Sequence, residues 1–499
     1  MLEVGYIELI RHFRLRVLPP HRYTYIADIG RGAVKNEEHK ITVILPKPYA
    51  LKTPDNALHQ LEFALKHEGV NLEIISACFA HIHKDDITHF INEKPAGKFR
   101  RILWFLFEFL GGEILDLDDA KQIPYVDLLD PKKYIVGKSI KSRRHAINNN
   151  LLGNKGFCPI VRKTALLDEF IGKNISLETE KLMKSVDPVI LARAINYLYT
   201  KETKSSFGIE KITPSLDRMA RFINLLEKAS ENVELNKGAL IALQNDIVSD
   251  LYKDADYRKS QNYVGELTQL YQQKIHYISP KPEDLKQLMS DYIECQQQLL
   301  ADDVHPVVVA AILSFGFVFL HPFEDGNGRI HRYIIHYILS KTKFTPDNII
   351  FPVSSVMLKN LRQYDAMLEL FSKPLLNAID NYELNDAGEL SVKSDTKKFY
   401  QYIDFTFYAE YLFSCIEKTI EEDFRDELDF ITRYDRTKRS IQSIVDMPDF
   451  KIDRAIRCIA ENNGKLGSKM RRTYFSELSD DTVSAIEKVI REGMPAHAD

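Results

Sequence analysis

Apolar residues fall into several distinct patterns along this chain. From Val307 to Leu320 they are nearly unbroken, the mark of a helix buried on all sides. Asp302 and Asp303 supply a capping signal and Pro306 sits near the first turn, so this helix is expected to open there and to deliver His321 at its end. From Asn56 to about Gly111 the apolar period is helical, with residues 61–65 and 102–106 as buried faces. Residues 23–27 and 40–45 read as two strands joined by a Gly- and charge-containing turn, a small β element. Between Tyr257 and Pro282 alternating apolar positions suit a short hairpin, and residues 361–372 follow an amphipathic helical pattern.

Past Asn385 the pattern weakens. The polar stretch to Lys397 reads as a linker, followed by a helix near 399–422. Helices near 438–445 and 449–461 precede Asn463-Gly464 and a basic stretch over 465–472, and Lys and Arg outnumber Asp and Glu between Ile431 and Phe475. That tail predicts a small winged-helix-like module, a fold that serves nucleic-acid binding or protein docking.

Composition narrows the class. The 499 residues leave room for roughly three domains of ordinary size. With 44% hydrophobic and 28% charged residues and a formal charge of −4, the whole chain carries no global nucleic-acid signature, so any basic surface is local. The run Lys132, Lys133, Lys138, Lys141, Arg143 and Arg144 reads as a solvated face. Five dispersed cysteines with no CxxC pair favour a reducing compartment and structural burial. The first residues lack the charge and apolar core of a signal peptide, and the longest apolar stretch is shorter than the roughly 20 residues that span a bilayer, so a cytoplasmic protein without membrane association is expected.

The segment from His321 to Arg332 gathers the chemistry: His321-Pro322-Phe323-Glu324-Asp325-Gly326-Asn327-Gly328-Arg329-Ile330-His331-Arg332. Pro322 cannot extend the preceding helix, and Gly326 and Gly328 allow backbone N–H groups to converge on an anion. Helical pattern resumes at about Arg329, so a positive helix end faces the loop, with Arg329 and Arg332 one turn apart as guanidiniums suited to polyphosphate oxygens. Asp325 is a hard oxygen ligand of the kind Mg²⁺ needs beside two phosphates. His321 titrates nearest neutrality and can take a proton from an attacking hydroxyl. Phe323 is expected to anchor the loop in the core and Asn327 to fix its shape or hold a phosphate oxygen. His331 and His336 read as structural.

At every defined position this segment matches HxFx(D/E)GNGRxxR, and the chain resembles the Fic family. The resemblance implies a mostly α fold: a Fic-type helical bundle with a short β-hairpin flap, preceded by a mixed α/β N-terminal region and followed by the winged-helix-like module. Its expected parts are residues 1–186, a catalytic domain over 187–385, a helical linker over 386–430 and the module over 431–499. It implies AMP transfer from ATP, with Mg²⁺, to a Ser, Thr or Tyr hydroxyl of a protein target, self-modification included. His321 would be the base, Asp325 the metal ligand, and Gly326, Asn327, Gly328, Arg329 and Arg332 the nucleotide cradle. Tyr364 would stack on the base. Ile275, His276, Tyr277 and Ile278 would form the flap that docks the target by strand addition.

Control is implied as well. Thr203-Lys204-Ser205-Ser206-Phe207-Gly208-Ile209-Glu210 resembles the family's autoinhibitory helix, [S/T]xxxE[G/N], with Ser206 and Glu210 in the defined positions and Lys211 departing from the Gly/Asn that follows. A Glu210–Arg332 pair would occupy the guanidinium meant for the γ-phosphate. Two other readings stay open: a Fic relative using another phosphate donor, and a nucleotide-sensing regulator that binds DNA through its C-terminal module. A homodimer is compatible with either.

Overall fold

The computed structural model describes residues 1–37, 39–231, 234–267 and 273–494. The N-terminal region opens with a four-stranded sheet in the order Leu2–Val4, Arg22–Ala27, Ile41–Pro46, Ala33–Asn36. The two expected strands are present, but the segment joining them supplies a third strand of its own, so they run parallel, Arg22 opposite Ile41. All four residues of Ala33–Asn36 are exposed, and a strand with no apolar face leaves no periodicity to read. Four helices follow, Ala57–His67, Leu72–Phe79, Lys84–Glu93 and Lys98–Gly111, the first capped by the Asn56 side chain. They bury Leu61, Leu103, Trp104 and Leu106 in one core, while Phe63 packs with Val4 and Ile26 of the sheet. In the basic run, Arg144 is no solvated cation. It pairs with Glu108 at 3.0 Å, donates to the Leu115 and Leu117 carbonyls and lies over the Trp104 ring.

The second core holds the candidate site. Its framework is α1 (Pro188–Ile209), α2 (Lys237–Ile247), the hairpin Tyr263–Leu267 with Gln273–Ile278, α3 (Pro306–Leu320), α4 (Asn327–Lys341), α5 (Val353–Lys359) and α6 (Leu361–Ala378). Thirteen of the fifteen residues of α3 are buried, so it is the axis around which the others pack. Its opening differs from expectation: the His305 ring, not Asp302 or Asp303, accepts from the Val307 N–H, while Asp302 accepts from the backbone of Lys138.

This core crosses both expected boundaries of the catalytic segment. Leu152, Phe157, Val161 and Phe170 join it from the N-terminal side, and Phe399, Tyr400, Phe405, Tyr408, Leu412 and Phe413 from the C-terminal side. Residues 386–430 are therefore not a linker. They supply the hairpin strand Leu390–Val392, the buried helix Thr406–Lys418 and a π-helical turn, Thr419–Phe424, that runs directly into α7 (Arg425–Ile444).

Helix α7 carries the chain into the C-terminal unit, where it packs with Asp449–Glu461, Ser468–Tyr474 and Asp480–Gly493 around Ile441, Ile456, Ile459, Phe475, Ile486 and Ile490. Among the described residues no strand follows Leu390–Val392. The winged-helix expectation is corrected to a four-helix unit. The basic stretch lacks the two-residue alternation of a strand, and it folds as the short helix Ser468–Tyr474, with Lys465 and the Leu466 N–H held by Glu487. No helix among the described residues is long and apolar enough to cross a membrane.

Candidate phosphate-binding site

At the end of α3 the chain stops on His321, whose backbone is left-handed at φ 48°, ψ 58° while its N–H still closes onto the Phe317 carbonyl at 2.9 Å. Such a conformation is unfavourable for a residue with a side chain and persists only where its surroundings hold it. Here Nδ1 lies 3.1 Å from the Val318 carbonyl. A carbonyl only accepts, so Nδ1 carries the proton and Nε2 is the basic nitrogen. Burial lowers the His321 pKa to about 4 against the raising influence of the Val318 bond, with the Arg258 charge lowering it further, so the ring is a neutral imidazole at pH 7.

The loop that follows is fixed by its own side chains. Asn327 accepts from the Phe323 N–H at 3.1 Å and donates to the Phe323 carbonyl at 2.7 Å, and the Phe323 ring is fully buried. Gly326 caps α4 at φ 90°, where a Cβ would also stand 2.9 Å from Val248. Gly328 is open for a different reason. A Cβ there would lie 2.5 Å from a Glu210 oxygen, so the absent side chain leaves the space that the carboxylate fills. Gln244, on α2, steadies the loop from outside by donating to the Asp325 carbonyl at 3.3 Å and the Tyr252 carbonyl at 2.8 Å.

Both motif arginines are buried and paired. Glu210 places Oε1 2.6 Å from Arg332 Nη2 and Oε2 2.7 Å from Arg329 Nε, so it spans the two guanidiniums rather than the Arg332 side chain alone. Arg332 also donates to the Ser206 hydroxyl at 2.8 Å and the Ser206 carbonyl at 2.7 Å, and Arg329 to Asp325 at 2.8 Å. Lys211, just past α1, is left-handed at φ 58°, the conformation that Gly or Asn would take most readily. Helix α1 is fastened at two further places. Glu202 is fully buried, accepts from the Ser354 N–H at 2.9 Å and lies 2.9 Å from the His336 ring. Lys201 pairs with Asp423, which also holds Lys359.

Three expected residues stand elsewhere than anticipated. Tyr364 is buried, its hydroxyl hydrogen-bonded to Arg332 and its ring stacked on His331 at 6.2 Å, so it supports the arginine and presents no free face to a nucleotide base. In the hairpin, Ile275 and His276 are partly exposed, His276 lying 3.1 Å from Glu266, whereas Tyr277 and Ile278 are core residues. The Tyr277 hydroxyl donates to the Phe319 carbonyl, and the Ile278 carbonyl accepts from Tyr400. These two anchor the hairpin instead of facing a docked chain. The hairpin is antiparallel, Tyr263 opposite Ile278, with an irregularity at Val264/Gly265, and its tip, residues 268–272, lies outside the described residues.

Asp325 has one oxygen committed: Oδ1 accepts from the Gly326 N–H at 2.7 Å and from Arg329. Its other oxygen accepts no hydrogen bond among the described residues, and the side chain is 39% exposed. No group of three or more His, Cys, Asp or Glu side chains among the described residues could hold a metal by itself. A single outward carboxylate oxygen fits Mg²⁺, which takes one or two carboxylates and completes its shell with phosphate and water.

A buried helix ending in a left-handed histidine, a glycine loop and an arginine-bearing helix together define the Fic type of bundle. Residues 234–339 match the Fic/DOC family. The chain is similar to the protein adenylyltransferase Fic of Nematostella vectensis, 27% identical over 135 residues, and of Aedes aegypti, 27% identical over 184 residues. Those matches cover 26% and 31% of this chain and 29% and 35% of the two relatives, so the chain spans about a third of their length. A solved Fic family protein from Desulfovibrio desulfuricans G20 is similar with a TM-score of 0.39 at 16% identity, covering 67% of this chain and 85% of that one. The Fic/DOC match covers the stretch of this chain that carries His321, the glycine loop and both motif arginines.

Proposed function

We propose that the chain is a protein adenylyltransferase held inactive by Glu210. The observation that carries this reading is a single carboxylate spanning both guanidiniums at the mouth of a glycine cradle, beside a histidine whose bare nitrogen is Nε2. ATP is the substrate this arrangement suits. Its phosphate oxygens would replace the Glu210 carboxylate on Arg329 and Arg332 and take the N–H groups at the start of α4. Asp325 would hold Mg²⁺, which when bound neutralises phosphate charge. His321 would receive the proton of a protein hydroxyl as that oxygen bonds to the α-phosphorus and the bond to the departing pyrophosphate breaks. While Glu210 keeps both arginines, the triphosphate lacks its two strongest contacts and cannot settle for in-line attack.

The test compares wild type with Glu210→Gly, each given ATP labelled at the α- or the γ-phosphate. Transfer of α-label only, raised more than tenfold in the variant, is the expected result; a tenfold change corresponds to about 1.4 kcal/mol of barrier. Transfer of γ-label would make the protein a phosphotransferase instead. An unchanged rate would remove Glu210 as the inhibitor.

A further inference from the structure

Arg258 stands just before the hairpin and is 4% exposed, yet no carboxylate pairs with it among the described residues. Its partners are three backbone carbonyls. Nε donates to His321 at 2.8 Å, Nη1 to Ser260 at 2.7 Å and Nη2 to Pro280 at 2.6 Å, and its own N–H donates to the Pro322 carbonyl at 2.9 Å. Ser260 and Pro280 are the two points where the hairpin leaves and rejoins the bundle, and His321 is the left-handed turn that carries the imidazole. One planar guanidinium therefore ties both roots of the hairpin to the backbone of the motif histidine.

Burying a cation against neutral carbonyls is costly unless hydrogen bonds replace the lost water, as the three carbonyls do on each nitrogen of Arg258. Burial pushes the Arg258 pKa down to about 10, which still leaves it charged at neutral pH. The arrangement does more than close a loop. The αL backbone of His321 must be held from outside, and the carbonyl that Arg258 grips belongs to that residue.

We infer that Arg258 is a positioning residue that couples the hairpin to His321, so that the base is correctly aimed only while the hairpin is seated. The inference rests on the adenylyltransferase reading for its consequence and on geometry for the coupling. If the coupling holds, loosening the hairpin misplaces the imidazole without touching the cradle, because among the described residues Arg258 hydrogen-bonds to none of Gly326, Asn327, Gly328, Arg329 or Arg332.

The test places Arg258→Gln and Arg258→Lys in full-length Glu210→Gly protein. Three quantities are read: self-labelling from α-labelled ATP, MgATP affinity by calorimetry, and backbone amide exchange over 263–267, 273–278 and 321–323. Arg258→Gln should cut self-labelling at least tenfold, leave MgATP affinity within twofold, and speed exchange at least tenfold at both the hairpin and 321–323, with α3 unchanged. Arg258→Lys keeps the charge but an ammonium cannot reach three carbonyls in one plane, so it should lose most of the labelling while retaining the wild-type fold, at a somewhat lower melting temperature. It is the deciding variant should Arg258→Gln fail to fold. Full labelling by Arg258→Lys, or faster hairpin exchange with 321–323 and labelling unaffected, would overturn the coupling. If Glu210→Gly itself transfers no label, the activity reading fails, and the exchange pattern still decides whether Arg258 joins the hairpin to the motif.

Discussion

At the scale of single residues, His321 is set apart by what its surroundings do to it. Its tautomer is chosen by the Val318 carbonyl and its neutrality by burial and the Arg258 charge. Because its pKa lies near 4, a rate limited by the free imidazole should stay level as pH falls from 8 to 5 and drop only as pH approaches 4, where protonation removes the base. His321→Ala should lower AMP transfer by a factor on the order of 10²–10⁴ while MgATP affinity stays near that of the parent. Undiminished transfer would remove the base from the mechanism. The residues of the motif are legible because they are contiguous and their spacing is dictated by one loop. Arg258, Gln244 and Glu202 are not, since the partners that give them their place around the site, His321, Asp325 and Ser354, lie 63, 81 and 152 residues away and nothing in the local pattern marks them. The place of Tyr364 differs from expectation for a related reason: an aromatic residue on an amphipathic helix shows which face it shares but not whether a ligand or Arg332 occupies that face.

At the scale of elements, the helix that ends at Glu210 is fixed at points away from the glycine loop. Ala194 and Leu198 of α1 pack on Phe424, Leu428 and Ile431, at the π-helical turn and the start of α7. Asp423, 1% exposed, sits between Lys201 and Lys359 at that turn. Burial alone would raise its carboxyl, and the two lysines hold it below the usual range instead. Asp423→Ala should therefore destabilise the chain by about 1–3 kcal/mol, with the partly exposed lysines discounted for solvent screening. Urea unfolding checks this, and a change below roughly 0.5 kcal/mol would mean that the pair is ornamental to α1. Long, unbroken or strongly periodic elements such as α3 and the hairpin were predictable from the chain alone. The π-helical turn and the exposed strand Ala33–Asn36 were not, because one depends on tertiary packing and the other has no buried face.

At the scale of the molecule, the boundaries drawn from composition failed where polar residues cover a buried helix. The stretch taken as a linker contributes Tyr408, Leu412 and Phe413 to the site's own core, so domain edges follow packing and not surface polarity. The C-terminal unit also changes character once folded. Of the four cations placed on its basic stretch, Lys465 pairs with Glu487 at 2.9 Å and Arg471 with Asp480 at 2.6 Å, which leaves Lys469 and Arg472. Two phosphate contacts give a shallow salt dependence and weak affinity. Fluorescence anisotropy of the full chain with a labelled duplex at low salt should accordingly show little binding. Tight binding with a steep salt slope would restore the nucleic-acid reading.

The Glu210 carboxylate has one more role, which follows from where its oxygens lie. It is an anion shared by two buried guanidiniums, so on the proposed reading the contact that would block nucleotide also stabilises the fold. Glu210→Gly should therefore melt at a lower temperature than the parent and regain more of that loss on adding MgATP than the parent gains, since only the variant has an unfilled anion position to stabilise. Equal melting temperatures would show that Ser206, Asp325 and Tyr364 suffice to satisfy the arginines. The active form of this protein is, on this account, at its most fragile when it is switched on and empty, and nucleotide is what makes it durable again.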